Sequence, residues 1–275
     1  MAKQPAIEPM HQFLIEKIMQ GPVFQLGGVS VDMSITNSVA SMIAGAVILV
    51  AFFALTARGE LVPNRGQALA EALYNIVDKV LVTPIIGHGG KPYIPYLFTL
   101  FMVILVLNLM GVLLAIGNLG GLTLTFTVTS QLAVTATLAI LTFFSVFFLG
   151  FAKHGPKFLT LFAPSGMPKA MLLFMVPIEM LSYFVRPVTL AMRLFGNMLG
   201  GHVVMSLFGS FVVALAIVGL SGGIATLAFV PSALSFAMIV ALTGLELVVA
   251  VLQAFVFTAL ATVYLNEVVN FGHGH

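Results

Sequence analysis

The chain has 275 residues, of which 60% are hydrophobic and only 7% charged, with a formal net charge of +2 and a mean hydropathy of +1.13. A soluble domain carries about 25% charged residues, so this composition excludes a soluble globular fold and implies a polytopic membrane protein. No strongly basic face is present to suggest nucleic-acid binding, and the absence of cysteine excludes disulfides, thiol catalysis and Cys-ligated metals.

The first segment is not a signal peptide. Pro5 and Pro9 interrupt it, Glu8 and Glu16 lie within it, and it has no continuous apolar core. Insertion therefore rests on the membrane helices themselves. The first of these is predicted over 38–57, about 20 residues and about 30 Å of helix, enough to span. A polar stretch follows. Within 66–82, Leu69, Leu73, Ile76, Val77, Val80 and Leu81 recur at helical spacing, while Gln67, Glu71, Asp78 and Lys79 fall elsewhere. That pattern predicts an amphipathic helix at the membrane surface, with a packed loop helix as the alternative.

No charged residue occurs from Pro92 to Ala152, and the run is too long for one helix. The sequence GNLGG at Gly117–Gly121 marks a turn between two spans, 94–116 and 126–152. A loop with Lys153, Lys157 and Lys169 comes next. The last third is predicted as a hairpin of two long arms, 170–218 and 232–269, broken at Ser221–Gly223 and restarted near Pro231. Each arm exceeds a perpendicular crossing, so strong tilt is expected. The fold class is thus an all-α membrane protein in a single domain, with five spans and one interfacial helix.

The loops after the first and third spans hold the lysines and arginines, whereas GNLGG and GLSGG hold none. By the positive-inside rule the N-terminus lies outside and the C-terminus in the cytoplasm.

Six polar residues stand out in the hairpin: Glu179, Arg193, Asn197, His202, Glu246 and Gln253. A central arginine costs about 2.5–3.5 kcal/mol on insertion scales and usually faces protein or a water-filled cavity. At 100° per residue Arg186, Thr189, Arg193, Gly196, Asn197 and Gly200 share a face within about 120°. Gly196 and Gly200 alone would be an ordinary helix-packing motif. Beside Arg193 they imply a shallow face that another helix approaches closely. His202 lies on the opposite side of the same helix. Folding the chain back at residue 223 or 224 brings His202 level with Glu246, Arg193 level with Gln253, and Glu179 level with Glu267. Glu and His at several depths suggest a proton path. Arginine keeps its proton and cannot relay. It can block leakage and attract a passing carboxylate, which implies two half-paths that do not meet.

RLFGNMLGGH, followed some 50 residues later by LQAFVFTALATVYL, closely resembles subunit a of the F-type ATP synthase family. The resemblance extends over essentially the whole chain, including NLMG at Asn108–Gly111. It implies that Arg193 is the essential arginine facing the ring of c subunits, with Asn197 and Gln253 as polar neighbours. His202 and Glu246 would line the outer inlet, and Glu179 the cytoplasmic outlet. The implied partners are the c ring, the b subunits of the peripheral stalk, the remaining ATP synthase subunits, the lipid bilayer and protons. No cofactor or metal is implied, and no P-loop is present to make the chain an ATP-hydrolysing enzyme. The implied location is a bacterial plasma membrane.

Two departures from the family pattern are visible. Many members have an acid at the position of His202 and a histidine at that of Glu246; here the two are exchanged. Some also have acids at the positions of Gly111 and Ile116, which are missing here. The outer mouth is then expected to be lined by Asn108, His202 and water. A stand-alone transporter with a Glu/His relay is the rival reading, but it would need a central cavity and broken helices or repeats. A passive assembly factor does not account for charges at three depths.

Overall fold

The computed structural model describes residues 17–19, 23–26, 29–32, 34–56, 62–116, 128–162 and 169–270. The first residues and the Gly117–Gly121 turn lie outside them. Six principal helices are found among these residues: α1 Asn37–Thr56, α2 Arg65–Asn75, α3 Ile94–Ile116, α4 Leu132–His154, α5 Lys169–Gly219 and α6 Phe229–Val269. Among the described residues five segments are long and apolar enough to cross a membrane, and they coincide with all but α2. The membrane portion is all-α, as the composition implied.

Ahead of α1 the chain forms four short strands, β1 Lys17–Met19, β2 Val23–Leu26, β3 Val29–Asp32 and β4 Ile35–Thr36. β2 pairs with β3 and β1 with β4, both antiparallel. The sequence reading had no strands here. The alternation V-S-V-D opposite V-F-Q-L is the only short-range signal for them.

α2 begins at a local cap, where the Asn64 side chain accepts from the Arg65 backbone N–H at 2.6 Å. Gln67 donates to Glu71 one turn on, at 2.8 Å. The helix continues as a π-helical stretch, Ile76–Val82, whose Val77, Leu81 and Val82 are buried. α4 starts at Leu132, later than the 126 expected, because Val128–Ser130 forms a 3-10 turn closed by Gln131 N–H donating to the Val128 carbonyl. Hydroxyls at Thr129 and Ser130 compete for backbone groups and disfavour an earlier helix start.

α5 has 51 residues and α6 has 41. At 1.5 Å per residue they measure about 77 and 62 Å, against a hydrocarbon core of about 30 Å. Neither can cross upright. Between them Gly222 and Gly223 adopt φ of 83° and 65°, a region that L side chains rarely enter.

The contacts divide the chain into two compact units. The first comprises Met1–Gly45, Leu107–Gln131 and Phe195–Leu252. Its core joins Val112, Met198 and Ala250, with Leu109 packed against them. Gly45 lets α1 approach α3 closely, since a Cβ there would lie 2.9 Å from a Leu107 methyl. The hairpin arms are stitched near the turn by Ser232, which donates to the Val212 carbonyl at 3.1 Å, and by Thr243, which donates to Met205 Sδ at 3.5 Å.

The second unit comprises Ala46–Val106, Leu132–Leu194 and Gln253–His275. Its core contains an aromatic cluster of Phe143, Phe147, Phe151, Phe158, Phe162 and Tyr183. The last carbonyls of α6 have no helical partner of their own. Lys153 Nζ donates to the Val269 carbonyl at 3.1 Å, and His154 Nε2 bonds the Val268 carbonyl at 2.8 Å. The loop lysine that marked the cytoplasmic side in sequence thus also anchors a helix end.

Phe158 closes over Gly150, where an added Cβ would lie 2.8 Å from two ring carbons. Gly150→Ala is therefore expected to overpack the cluster at a cost of about 1–3 kcal/mol. The check is the thermal unfolding midpoint of the detergent-purified protein. An unchanged midpoint would mean that the ring swings aside freely.

Candidate functional site

Within the first unit, α5 and α6 turn their polar side chains toward each other at one level. His202 and Glu246 are each 5% exposed, with His202 Nε2 3.6 Å from Glu246 Oε1. The register counted from the turn thus brings this pair together. Neither carboxylate oxygen of Glu246 has a hydrogen-bond partner among the described residues. A buried carboxyl without full hydrogen bonding is costly, and such groups mark functional positions in a membrane interior.

Two further residues complete this cluster. Asn108 is fully buried, and its Nδ2 donates to the Ala250 carbonyl at 3.2 Å, one helical turn beyond Glu246. Its Oδ1 is buried without a hydrogen-bond partner among the described residues. Gly201 was not singled out in sequence. A Cβ there would collide with the Glu246 carboxyl, lying 3.0 Å from Cδ and closer still to Oε1. The bare α5 backbone at Gly201 is what admits the Glu246 head group. Its signal was its position beside His202, level with Glu246.

Arg193 behaves oppositely. It is exposed, and its guanidinium has no acidic partner among the described residues. Farther along α5, Gly196, Asn197 and Gly200 are also exposed, and Cβ atoms built on the two glycines meet nothing within 4 Å. The same helix therefore presents a polar, bare side outward and His202 inward. The surface of α5 is largely open, with large apolar side chains such as Met192, Val204, Leu207 and Phe211 exposed.

Within the second unit Gln253 is 4% exposed, whereas Arg193 is exposed. The equal level of Glu179 and Glu267 by count does not make them partners. Glu267 forms its ion pair with Arg186, not an acidic pair with Glu179. Two carboxylates at one depth would repel, and the long Arg and Glu side chains reach along the helices to a cheaper arrangement. Glu179 itself is partly exposed. Among the described residues no cluster of three or more His, Asp or Glu could hold a metal.

The chain is similar to known proteins over nearly its whole length. The family model described as ATP synthase A chain matches residues 38–266. A protein of Azorhizobium caulinodans named ATP synthase subunit a is 41% identical over 97% of this chain and 99% of its own length. Proteins of the same name from Rhizobium johnstonii and Pelagibacter ubique are 43% and 40% identical, each over 98% of this chain, covering 99% and 100% of their own lengths. Matches of this extent reach from the first span to the end of α6, so the chain belongs to the ATP synthase A chain family.

Proposed function

We propose that the chain is the proton-translocating stator subunit of the membrane sector of a bacterial ATP synthase, and that it forms two half-channels against a rotating c ring. The observation that supports this best is the exposed Arg193 on a side of α5 that glycines leave bare. An intramembrane guanidinium with no acidic partner among the described residues is stable only where something else meets it. A carboxylate on a passing helix supplies that partner, and Gly196 and Gly200 admit the helix.

Protons enter from outside through Asn108, His202 and Glu246. They neutralise a c-ring carboxylate, which then enters lipid cheaply. After most of a turn the carboxyl group reaches the outlet at Glu179 and releases its proton. Arg193 stabilises the resulting carboxylate and, as a fixed cation, stops protons crossing directly between the two paths. Asn197 and Gln253 are polar neighbours along the hairpin. The chain contributes to ATP synthesis without binding ATP. Its partners are the c ring, the b subunits and the rest of the synthase. It sits in the plasma membrane with its N-terminus outside and its C-terminus in the cytoplasm.

The natural chain has no cysteine, which makes the test clean. Gly200→Cys is expected to cross-link to a cysteine placed beside the c-subunit carboxylate, in a complex that purifies with c, b and the soluble head. A chain that purifies alone, or as a homo-oligomer with no such cross-link, would overturn the proposal in favour of a stand-alone transporter.

Gly201→Ala provides a second check. The new methyl group displaces the Glu246 carboxyl, so passive proton conduction through the membrane sector is expected to fall about tenfold, equivalent to about 1.4 kcal/mol of barrier. Conduction at the unaltered rate would show that the close approach has no part in the inlet.

A further inference from the structure

Glu179, Arg186 and Arg193 stand seven residues apart along α5. Each step of seven turns the helix to within about 20° of the same line and advances about 10 Å. Arg186 therefore lies on nearly the same side as Arg193, between it and the outlet acid. Taken alone, Arg186 would be a second cation on the track of the moving carboxylate.

The surroundings of the two arginines differ. Arg193 is exposed without an acidic partner among the described residues, whereas Arg186 is ion-paired through Nη1 to Glu267 Oε2. The Arg186 guanidinium also lies over two rings, 5.2 Å from the Tyr183 centroid and 5.0 Å from the Tyr264 centroid. Both distances are within the range of cation–π attraction. Tyr183 is buried at 3% exposure and fixed against Phe143 and Phe162. One carboxylate and two aromatic faces thus hold the guanidinium against its own chain. The Arg186 and Glu267 side chains retain 21% and 30% exposure.

We propose that Glu267, with Tyr183 and Tyr264, is a charge shield: it neutralises and holds back Arg186, so that the rotor carboxylate meets one trapping cation rather than two. This inference rests on the stator reading above. It makes Glu267 a positioning residue that acts through Arg186. Without it, the freed Arg186 offers the carboxylate a competing resting place about 10 Å from Arg193, and rotation stalls between them.

The test uses the complete ATP synthase in inverted membrane vesicles, with subunit content checked by immunoblot and ATP-driven proton pumping as the readout. Glu267→Gln is expected to slow pumping about tenfold, Arg186→Gln to change it by less than about twofold, and the double variant to return to within about twofold of the unaltered enzyme. A purely structural clamp would lose as much from Arg186→Gln, which strands Glu267, as from Glu267→Gln, so rescue together with unequal single variants marks the shield. A double variant no faster than Glu267→Gln, or Arg186→Gln as slow as Glu267→Gln, overturns the shield. Where Glu267→Gln prevents assembly, Tyr264→Leu takes its place. Slowing that is relieved by adding Arg186→Gln supports the shield, and slowing that persists overturns it. Arg193→Ala runs alongside: coupled pumping retained in that variant overturns the stator reading itself, and the shield with it.

Discussion

Arg193→Ala is expected to abolish ATP-driven proton pumping while the synthase still assembles. The loss should be at least about a hundredfold, or about 2.7 kcal/mol at 1.36 kcal/mol per decade. Assembly survives because Arg193 is exposed and has no acidic partner among the described residues, so its removal leaves no buried group stranded. Function fails because no other cation replaces it. Arg186 is held by Glu267, and the remaining basic residues lie in or near loops. Lysine should restore little, because a point charge on a flexible stem does not reproduce the planar, permanently charged fork. Pumping measured by dye quenching in inverted vesicles checks this, and coupled pumping retained by the alanine variant would sink the assigned role.

The second large effect concerns His202 and Glu246 as one unit. Each single alanine substitution is expected to slow proton flux about tenfold, with the double variant little worse than either. The geometry requires this coupling. The two groups are 3.6 Å apart and 5% exposed, and Glu246 has no hydrogen-bond partner among the described residues. Removing either takes the facing ionisable group from the other in a buried site. Strict additivity, a loss of about a hundredfold in the double variant, would argue against a shared step. The exchange of acid and histidine relative to many family members adds a sharper form. His202→Glu combined with Glu246→His should conduct better than either single change, because the pair is kept and only its order reversed. Subunit content must be measured first, since a lone polar group in a buried site can itself lower stability.

Some of this was written locally in the chain. Hydropathy over some 20 residues identifies a span whatever packs around it, so α1, α3, α5 and α6 lie close to where the sequence put them. Glu179, Arg193, His202 and Glu246 stood out because charge in lipid is costly at any depth. Counting back from the glycine turn sufficed to bring His202 to Glu246, since two helices of equal rise stay in step near the turn that joins them.

Tertiary structure decided which way each polar group faces and which partner it takes. Arg193 and Gln253 are level by count, yet one is exposed and the other buried. Glu267 took Arg186 rather than standing beside Glu179. Gly201 proved to be the seat of the Glu246 carboxyl, Asn108 found the Ala250 carbonyl, and Lys153 with His154 closed the end of α6. The physical reason is common to all of them. In a uniformly apolar chain, hydrophobicity cannot tell a helix face that meets lipid from one that meets protein. The sequence therefore determined that polar groups stand within the long apolar helices and at what distance from the turn. Packing, which buries His202 with Glu246 and leaves Arg193 outward, determined the surroundings of each.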